Sequence, residues 1–233
     1  MSCPTRCITA PACSRASAAT RIPETKKSYV FRLRDHMERL HRSCKISLID
    51  LPYSVDELCD ATIELIRKNK LPSCYIRPIV YRGYGVMGVD PTGAPTDVAI
   101  AVWPWDTYLG DGALDNGVAV GVSSWRQRTN NSIPPAVKAT ASYMNSILAK
   151  LEAKEHGYVE AIMLNEAGLV CEGTGENLFV VRDGILSTPP LSDGTAGGHH
   201  ARHGAVPGRR PGDPRHRGKA SRAATSTSPT RCS

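Results

Sequence analysis

The amino-acid sequence changes character at Asp193, and that break limits where a hydrophobic core can form. Residues 194–233 contain one Val, no Leu, Ile or aromatic residue, and many Arg, Pro and Gly. Such a segment cannot bury enough apolar surface to offset the entropy of ordering it, so a disordered basic tail is expected. Residues 1–23 show no apolar period and no acid, and a disordered leader is expected there, superficially like a transit peptide in its Arg, Ser and Ala content. A core therefore has to come from the stretch between them. Charge divides the same way: the tail carries +7 and the leader +3, which leaves residues 24–193 at −3 within a chain of net +7. The basicity belongs to the ends, so nucleic acid is not an expected partner. No run of about 18 apolar residues exists, and no membrane span is expected. No secretory signal is evident, so the eight cysteines read as thiols in a reducing, cytoplasmic setting rather than as a disulfide framework.

Structure is expected from Tyr29 onward. In "RLRDHMERLHRSCKI" the residues Leu33, Met37, Leu40 and Cys44 recur at helical spacing. In "SVDELCDATIELIRKN" Ser54 and Glu57 form a capping-box pattern, and Val55, Leu58, Cys59 and Ile66 line one face. "CYIRPIVY", "DVAIAVWPW" and "GVAVGVSSW" read as three strands. The polar stretch 126–133 reads as an interdomain linker between a small α/β domain at 29–125 and a second domain at 134–193. That second domain opens on a long helix from Pro134, with Val137, Ala141, Met144, Leu148 and Leu151 as its core stripe and Gly157 as its stop. Short strands follow, the last pair joined at Asp183-Gly184.

Several residues carry possible chemistry. Lys138, among small and apolar neighbours, is either a desolvated nucleophile or an ordinary solvated lysine. Tyr143 lies five residues on, about 140° around a continuous helix, where it is core or a ligand contact. Strand alternation puts Tyr75, Arg77, Ile79 and Tyr81 on one face; Arg77 there is either a carboxylate receptor or a half-exposed edge-strand arginine. "EGTGEN" places Glu172 and Glu176 around two glycines, but a strand rather than a helix follows, which makes it a poor phosphate loop. His199, His200 and His203 lie close in sequence without an acid or regular element, and no metal site is expected.

Taken together, "FRLRDHMERLHRSCKI", "YIRPIVYRGYGVMGV", "SSWRQRTNNSIPPAVKATASYMNSILAKLEA" and "EGTGENLFVVRDGIL" resemble the branched-chain amino acid aminotransferases of the class IV, fold-type IV pyridoxal phosphate enzymes. The resemblance runs in order across residues 29–193. It implies an α+β, two-domain fold with a smaller N-terminal domain and an incomplete larger C-terminal one. The implied reaction is transamination of Leu, Ile or Val with 2-oxoglutarate, on pyridoxal 5′-phosphate, by a homodimer or higher homo-oligomer. D-amino acid aminotransferase, aminodeoxychorismate lyase and an inactive truncated fragment are the alternatives; "YIRP" and "SSWRQRTNNS" speak against the first two. By resemblance, Lys138 holds the cofactor covalently and moves the substrate proton. Tyr143 lies near the cofactor's phenolic oxygen, Glu172 faces its pyridine nitrogen, and Tyr75, Arg77 and Tyr108 line the substrate pocket.

The two ends depart from the family pattern. A stretch close to "LHYGxGVFEGIR" is expected ahead of the first helix, and a "GITRD" segment after "LSDG". Read in an alternative frame, "SCPTRCITAPACSRAS" permits "VLSHALHYGTGVFEGI", and "HHARHGAVPGRRPGDPRHR" permits "ITRDTVRFLAGDLGIPVTE". Frame-shifted ends are therefore the expectation.

Overall fold

The computed structural model describes residues 12–14, 17–25, 27–85, 88–104, 109, 112–129, 131–134, 136–190 and 230–232. In chain order these form β1 (Ala12–Ser14), β2 (Ser17–Ile22), β3 (Lys27–Val30), α1 (Leu33–Ile46), α2 (Val55–Lys68), β4 (Cys74–Arg82) and β5 (Thr96–Trp103). There follow a short α3 (Ala113–Asn116), β6 (Val120–Arg126), α4 (Tyr143–Glu155), β7 (Glu160–Leu164), β8 (Val170–Gly173), β9 (Val180–Arg182), β10 (Ile185–Ser187) and β11 (Thr230–Cys232). The chain falls into two compact units, one within 1–106, 137–141 and 227–233, the other within 107–136 and 142–226. Among the described residues no helix is long and apolar enough to cross a membrane.

The first unit is organised by β4. Its residues alternate between buried (Cys74, Ile76, Pro78, Val80) and half-buried (Tyr75, Arg77, Ile79, Tyr81), the period-2 pattern of a strand with one face on a core. β5 pairs antiparallel along its whole length, from Tyr75 opposite Trp103 to Arg82 opposite Thr96. Its other edge is shared: β2 pairs with residues 74–76 and β1 with 79–81. Pro78 falls in the gap between them, where a missing N–H costs the ladder nothing. Helices α1 and α2 supply the rest of the core through Leu33, Met37, Leu40, Cys44, Leu58 and Ile66. The Ser54 capping box forms as the sequence predicts, with Ser54 N–H donating to Glu57 Oε2 at 2.7 Å and Glu57 N–H donating to Ser54 Oγ at 3.2 Å.

The second unit is built on a three-stranded sheet of order β6-β7-β8, in which β6 runs parallel to β7 and β8 antiparallel to it. Helix α4 packs on β6 and β7 and makes the crossover that a parallel pair requires. It ends at Gly157 (φ 80°), with Tyr158 N–H donating to Ala153 O at 2.8 Å. The β9–β10 hairpin turns at Asp183 and Gly184, both at positive φ (51° and 75°), as a two-residue I′ turn needs.

Four expectations change. Residues 12–14 and 17–22, expected to be unstructured, are strands on β4; residues 230–232, expected within a disordered tail, pair with β3. The rest of the basic tail lies outside the described residues. β6, grouped by sequence with β4 and β5, belongs instead with β7, so the expected linker 126–133 begins inside a strand of the second unit. The helix expected from Pro134 starts only with a 3-10 turn at Thr140–Ser142 and then α4. Upstream, Lys138 gives its backbone groups to long-range partners, accepting from Ser14 N–H at 2.9 Å and donating to Ser43 Oγ at 3.3 Å, so they cannot enter a helical ladder. The core stripe of α4 shifts accordingly to Ala149 and Ala153, while Met144 and Leu151 are 60% and 52% exposed and Val137 packs in the first unit's core.

Burial ranks the strands energetically. Ile76→Ala, which empties a fully buried site, is expected to cost about 2–5 kcal/mol. Ile185→Ala on the exposed β10 should stay within about 0.5 kcal/mol. Urea midpoints of the two variants measure the difference.

Candidate functional site

In the second unit, two irregularities fall at the same level of the sheet. β7 and β8 pair Met163 with Glu172 and then Leu164 with Val170, so Cys171 is an extra, bulged residue. β6 and β7 slip between Val122–Ile162 and Arg126–Leu164. Bulges bend a strand and re-aim side chains, and they gather beside active sites. Here they accompany two consecutive buried residues of β8, Cys171 and Glu172. Beyond the second slip, Gln127 N–H donates to Leu164 O at 2.8 Å, which anchors residue 127 beside the same end of β7.

Two buried side chains meet there. The Gln127 amide Nε2 donates to Glu172 Oε1, with Gln127 at 2% exposure and Glu172 at 8%. Gln127 Oε1 in turn accepts from Arg128 N–H at 3.1 Å and from Arg128 Nη1 at 3.3 Å. Burial pushes the Arg128 guanidinium below its usual pKa, opposed by the Glu172 carboxylate and by Tyr143. The Arg128 guanidinium is thus bound to Gln127 and lies within electrostatic reach of Glu172 and Tyr143. The sequence singled out Glu172 and Tyr143 only; Gln127 and Arg128 lay in the stretch taken for a linker, and their one signal was polarity directly after an apolar strand.

A second acidic group closes the turn after Glu172. Glu160 on β7 is 4% exposed and accepts from Lys150 Nζ at 2.6 Å, Thr174 Oγ1 at 2.6 Å and Ala161 N–H at 2.8 Å. Burial pushes its carboxyl up, but these donors outweigh it and hold the carboxylate below its usual range. Glu176 moves the other way: burial, then the Glu160 charge and a hydrogen bond to Glu160, push it up to about 7 against the opposing pull of Lys150. The turn itself is tight, with Gly173 N–H donating to Glu176 O at 2.9 Å and Glu172 bridging Asn177.

In the first unit, Tyr75 and Arg77 come together as expected from alternation. Arg77 Nη2 donates to Tyr75 OH at 2.8 Å, and Arg77 Cζ lies 5.2 Å from the Tyr75 ring centroid. Trp103, across the ladder, packs its ring 4.9 Å from that of Tyr75. β4 is paired on both edges, so Arg77 is not on an edge strand. Lys138 also belongs to this unit, half-buried in a segment that bridges β1 through Cys13–Ala139. Tyr108 and the histidines at 199, 200 and 203 lie outside the described residues.

Glu176 gives the site a pH signature. A carboxyl whose folded pKa is raised binds its proton more tightly when folded, so its contribution is complete below pH 4.5 and is lost as pH rises through about 7. Glu160, shifted down, acts only in the acid range below that window. The urea midpoint of the wild-type chain is expected to fall between pH 5 and 8 by more than that of Glu176→Gln. Equal falls would show that Glu176 does not titrate in this window.

Known proteins align with most of this chain in sequence and in fold. The family model for Amino-transferase class IV matches residues 23–199. The branched-chain-amino-acid aminotransferase of Escherichia coli (strain K12) is 49% identical over 168 residues, which are 72% of this chain and 54% of that protein. The crystal structure of the Escherichia coli enzyme superimposes with a TM-score of 0.79 at 43% identity, covering 82% of this chain and 62% of that one. The branched-chain amino acid aminotransferase from Thermobaculum terrenum, solved in its PLP form, superimposes with a TM-score of 0.76 at 33% identity, covering 82% and 62%. The chain thus spans about half the length of the curated relatives it matches. It belongs to the class IV amino-transferases, in the branched-chain-amino-acid aminotransferase family.

Proposed function

We propose that the chain carries residues of a pyridoxal-5′-phosphate-dependent aminotransferase that interconverts branched-chain L-amino acids and 2-oxo acids, with 2-oxoglutarate as acceptor. The observation that carries this reading is the buried Glu172 carboxylate, held by the Gln127 amide at the bulged end of β8. A carboxylate removed from water needs partners of matching charge or hydrogen-bonding capacity. A protonated ring nitrogen is such a partner, so an accepting carboxylate on this side fits the N–H of a pyridinium ring. The cofactor, when bound, supplies an electron sink for the bonds at the substrate Cα.

The remaining work falls to the chain's own groups. Glu172 keeps the proton on the ring nitrogen, and the positive charge there strengthens the sink. Tyr143 takes the place beside the phenolic oxygen. The Lys138 amine would hold the cofactor covalently, condensing with its aldehyde with loss of water, and is the group that would take and return the substrate Cα proton. Tyr75 and Arg77 suit a pocket that must accept both an aliphatic side chain and the carboxylate of 2-oxoglutarate: the ring offers apolar area, and the guanidinium supports a paired anion. Tyr108 is assigned to the same pocket. Assembly as a homodimer or higher homo-oligomer belongs to the same proposal.

Reduction with borohydride after incubation with pyridoxal 5′-phosphate, followed by peptide mass spectrometry, tests the assignment. The label is expected on Lys138; a label elsewhere, or none, overturns it. Lys138→Ala should lower transamination of L-leucine by about 10²–10⁴-fold or more. The wild-type chain is expected to turn over L-leucine with 2-oxoglutarate and not D-alanine or aminodeoxychorismate; the reverse preference would move the chain to another member of the class.

A further inference from the structure

The Gln127 side chain sits where it can control Glu172, and its orientation is fixed by its other contacts. Its Oε1 faces two donors, the Arg128 amide at 3.1 Å and the Arg128 guanidinium at 3.3 Å. An oxygen facing donors leaves the NH₂ group facing the other way, onto Glu172 Oε1, and a flipped amide would oppose like groups on both sides. Gln127 is itself held in place, since its backbone N–H donates to Leu164 O at 2.8 Å beyond the slip between β6 and β7. Its side chain is nearly inaccessible to solvent, so water is not at hand as a substitute donor.

The chemistry of the donor matters as much as its position. An arginine or lysine here would form a direct ion pair with Glu172 and draw the carboxylate toward itself. A neutral amide fixes one carboxylate oxygen without neutralising the group, and the Arg128 guanidinium that it also holds stands one hydrogen bond further back. We propose that Gln127 is a positioning residue for Glu172: its amide sets the direction of the carboxylate and preserves its charge for the ring nitrogen of a bound cofactor. This inference rests on the proposed function, because it gives Glu172 a pyridine ring to face.

The test is a double-mutant cycle on the full-length chain, read as the dissociation constant for pyridoxal 5′-phosphate and as the pH midpoint of the bound cofactor's absorbance band. Gln127→Met, which keeps the volume and removes the donor, is expected to weaken binding roughly tenfold or more and to move the pH midpoint down, because the ring nitrogen loses its oriented carboxylate. In a Glu172→Gln background the same change should alter affinity less than about twofold, since there is no carboxylate left to position. Gln127→Glu, which keeps size and polarity, repeats the test should the Met variant fail to fold, and is expected to disturb the midpoint more strongly by setting two carboxyls against each other. Equal losses in both backgrounds, or an unchanged midpoint, would overturn the positioning role while leaving the cofactor assignment standing. Failure of the wild-type chain itself to bind pyridoxal 5′-phosphate would overturn both.

Discussion

Taking the Glu172 carboxylate out of water sets the terms for the surrounding half of the second unit. A buried carboxylate without donors is costly by several kcal/mol, and the usual escape is to take up a proton and lose the charge. The chain meets that cost with geometry. The Cys171 bulge accompanies the entry of residue 172 into the buried layer, the slip in β6 delivers Gln127 to the same level, and the Arg128 guanidinium extends the chain of hydrogen bonds from behind. Each of these irregularities weakens the sheet locally. Their coincidence at one end of β7 is understandable if all of them serve one carboxylate.

The same constraint explains the composition of the turn that follows. Gly173 has little room for a side chain, because an added Cβ would lie 3.1 Å from Glu176 Cδ, in the tight range where a neighbour must give way. Thr174 places both its N–H and its hydroxyl on Glu160, and Gly175 donates its N–H toward Glu176. Glu176 then returns to Glu160, and Lys150 balances the pair from α4. The run "EGTGEN" is therefore two carboxylate sites back to back. One faces Gln127 and Arg128, the other faces Lys150 and Glu160, and the bridge from Glu172 to Asn177 fastens them together. Within the second site Glu160 keeps its charge by gathering donors, while burial and then the Glu160 charge raise the proton affinity of Glu176.

Features governed by near neighbours in the chain were legible in the sequence. The stripes of α1 and α2, the Ser54 cap, the Gly157 stop and the Asp183-Gly184 turn all depend on residues within about one helical turn of one another, and each appears where the pattern places it. The Tyr75–Arg77 pair followed from strand alternation for the same reason. What escaped was non-local. The residues of β6 read as a strand but could not announce that their partner was β7, on the far side of a helix. The stripe assigned to the helix after Pro134 failed because Val137 answers to the first unit's core and Ala149 and Ala153 to the second's. Gln127 carried no signal beyond its polarity, since a buried amide and a loop amide look identical until the fold supplies a carboxylate beside one of them.

Lys138 shows how far such long-range contacts can redirect a residue. In a continuous helix its amine and the Tyr143 ring would be bound to each other by the fixed angular step per residue, and their relation would be a property of local sequence. The backbone instead leaves the helix before reaching Lys138, because Ser14 and Ser43 take its carbonyl and its N–H. The backbone of Lys138 is consequently held by β1 and α1, while Tyr143 opens α4 in the second unit. The short 3-10 turn at Thr140–Ser142 is where that break in regular structure lies.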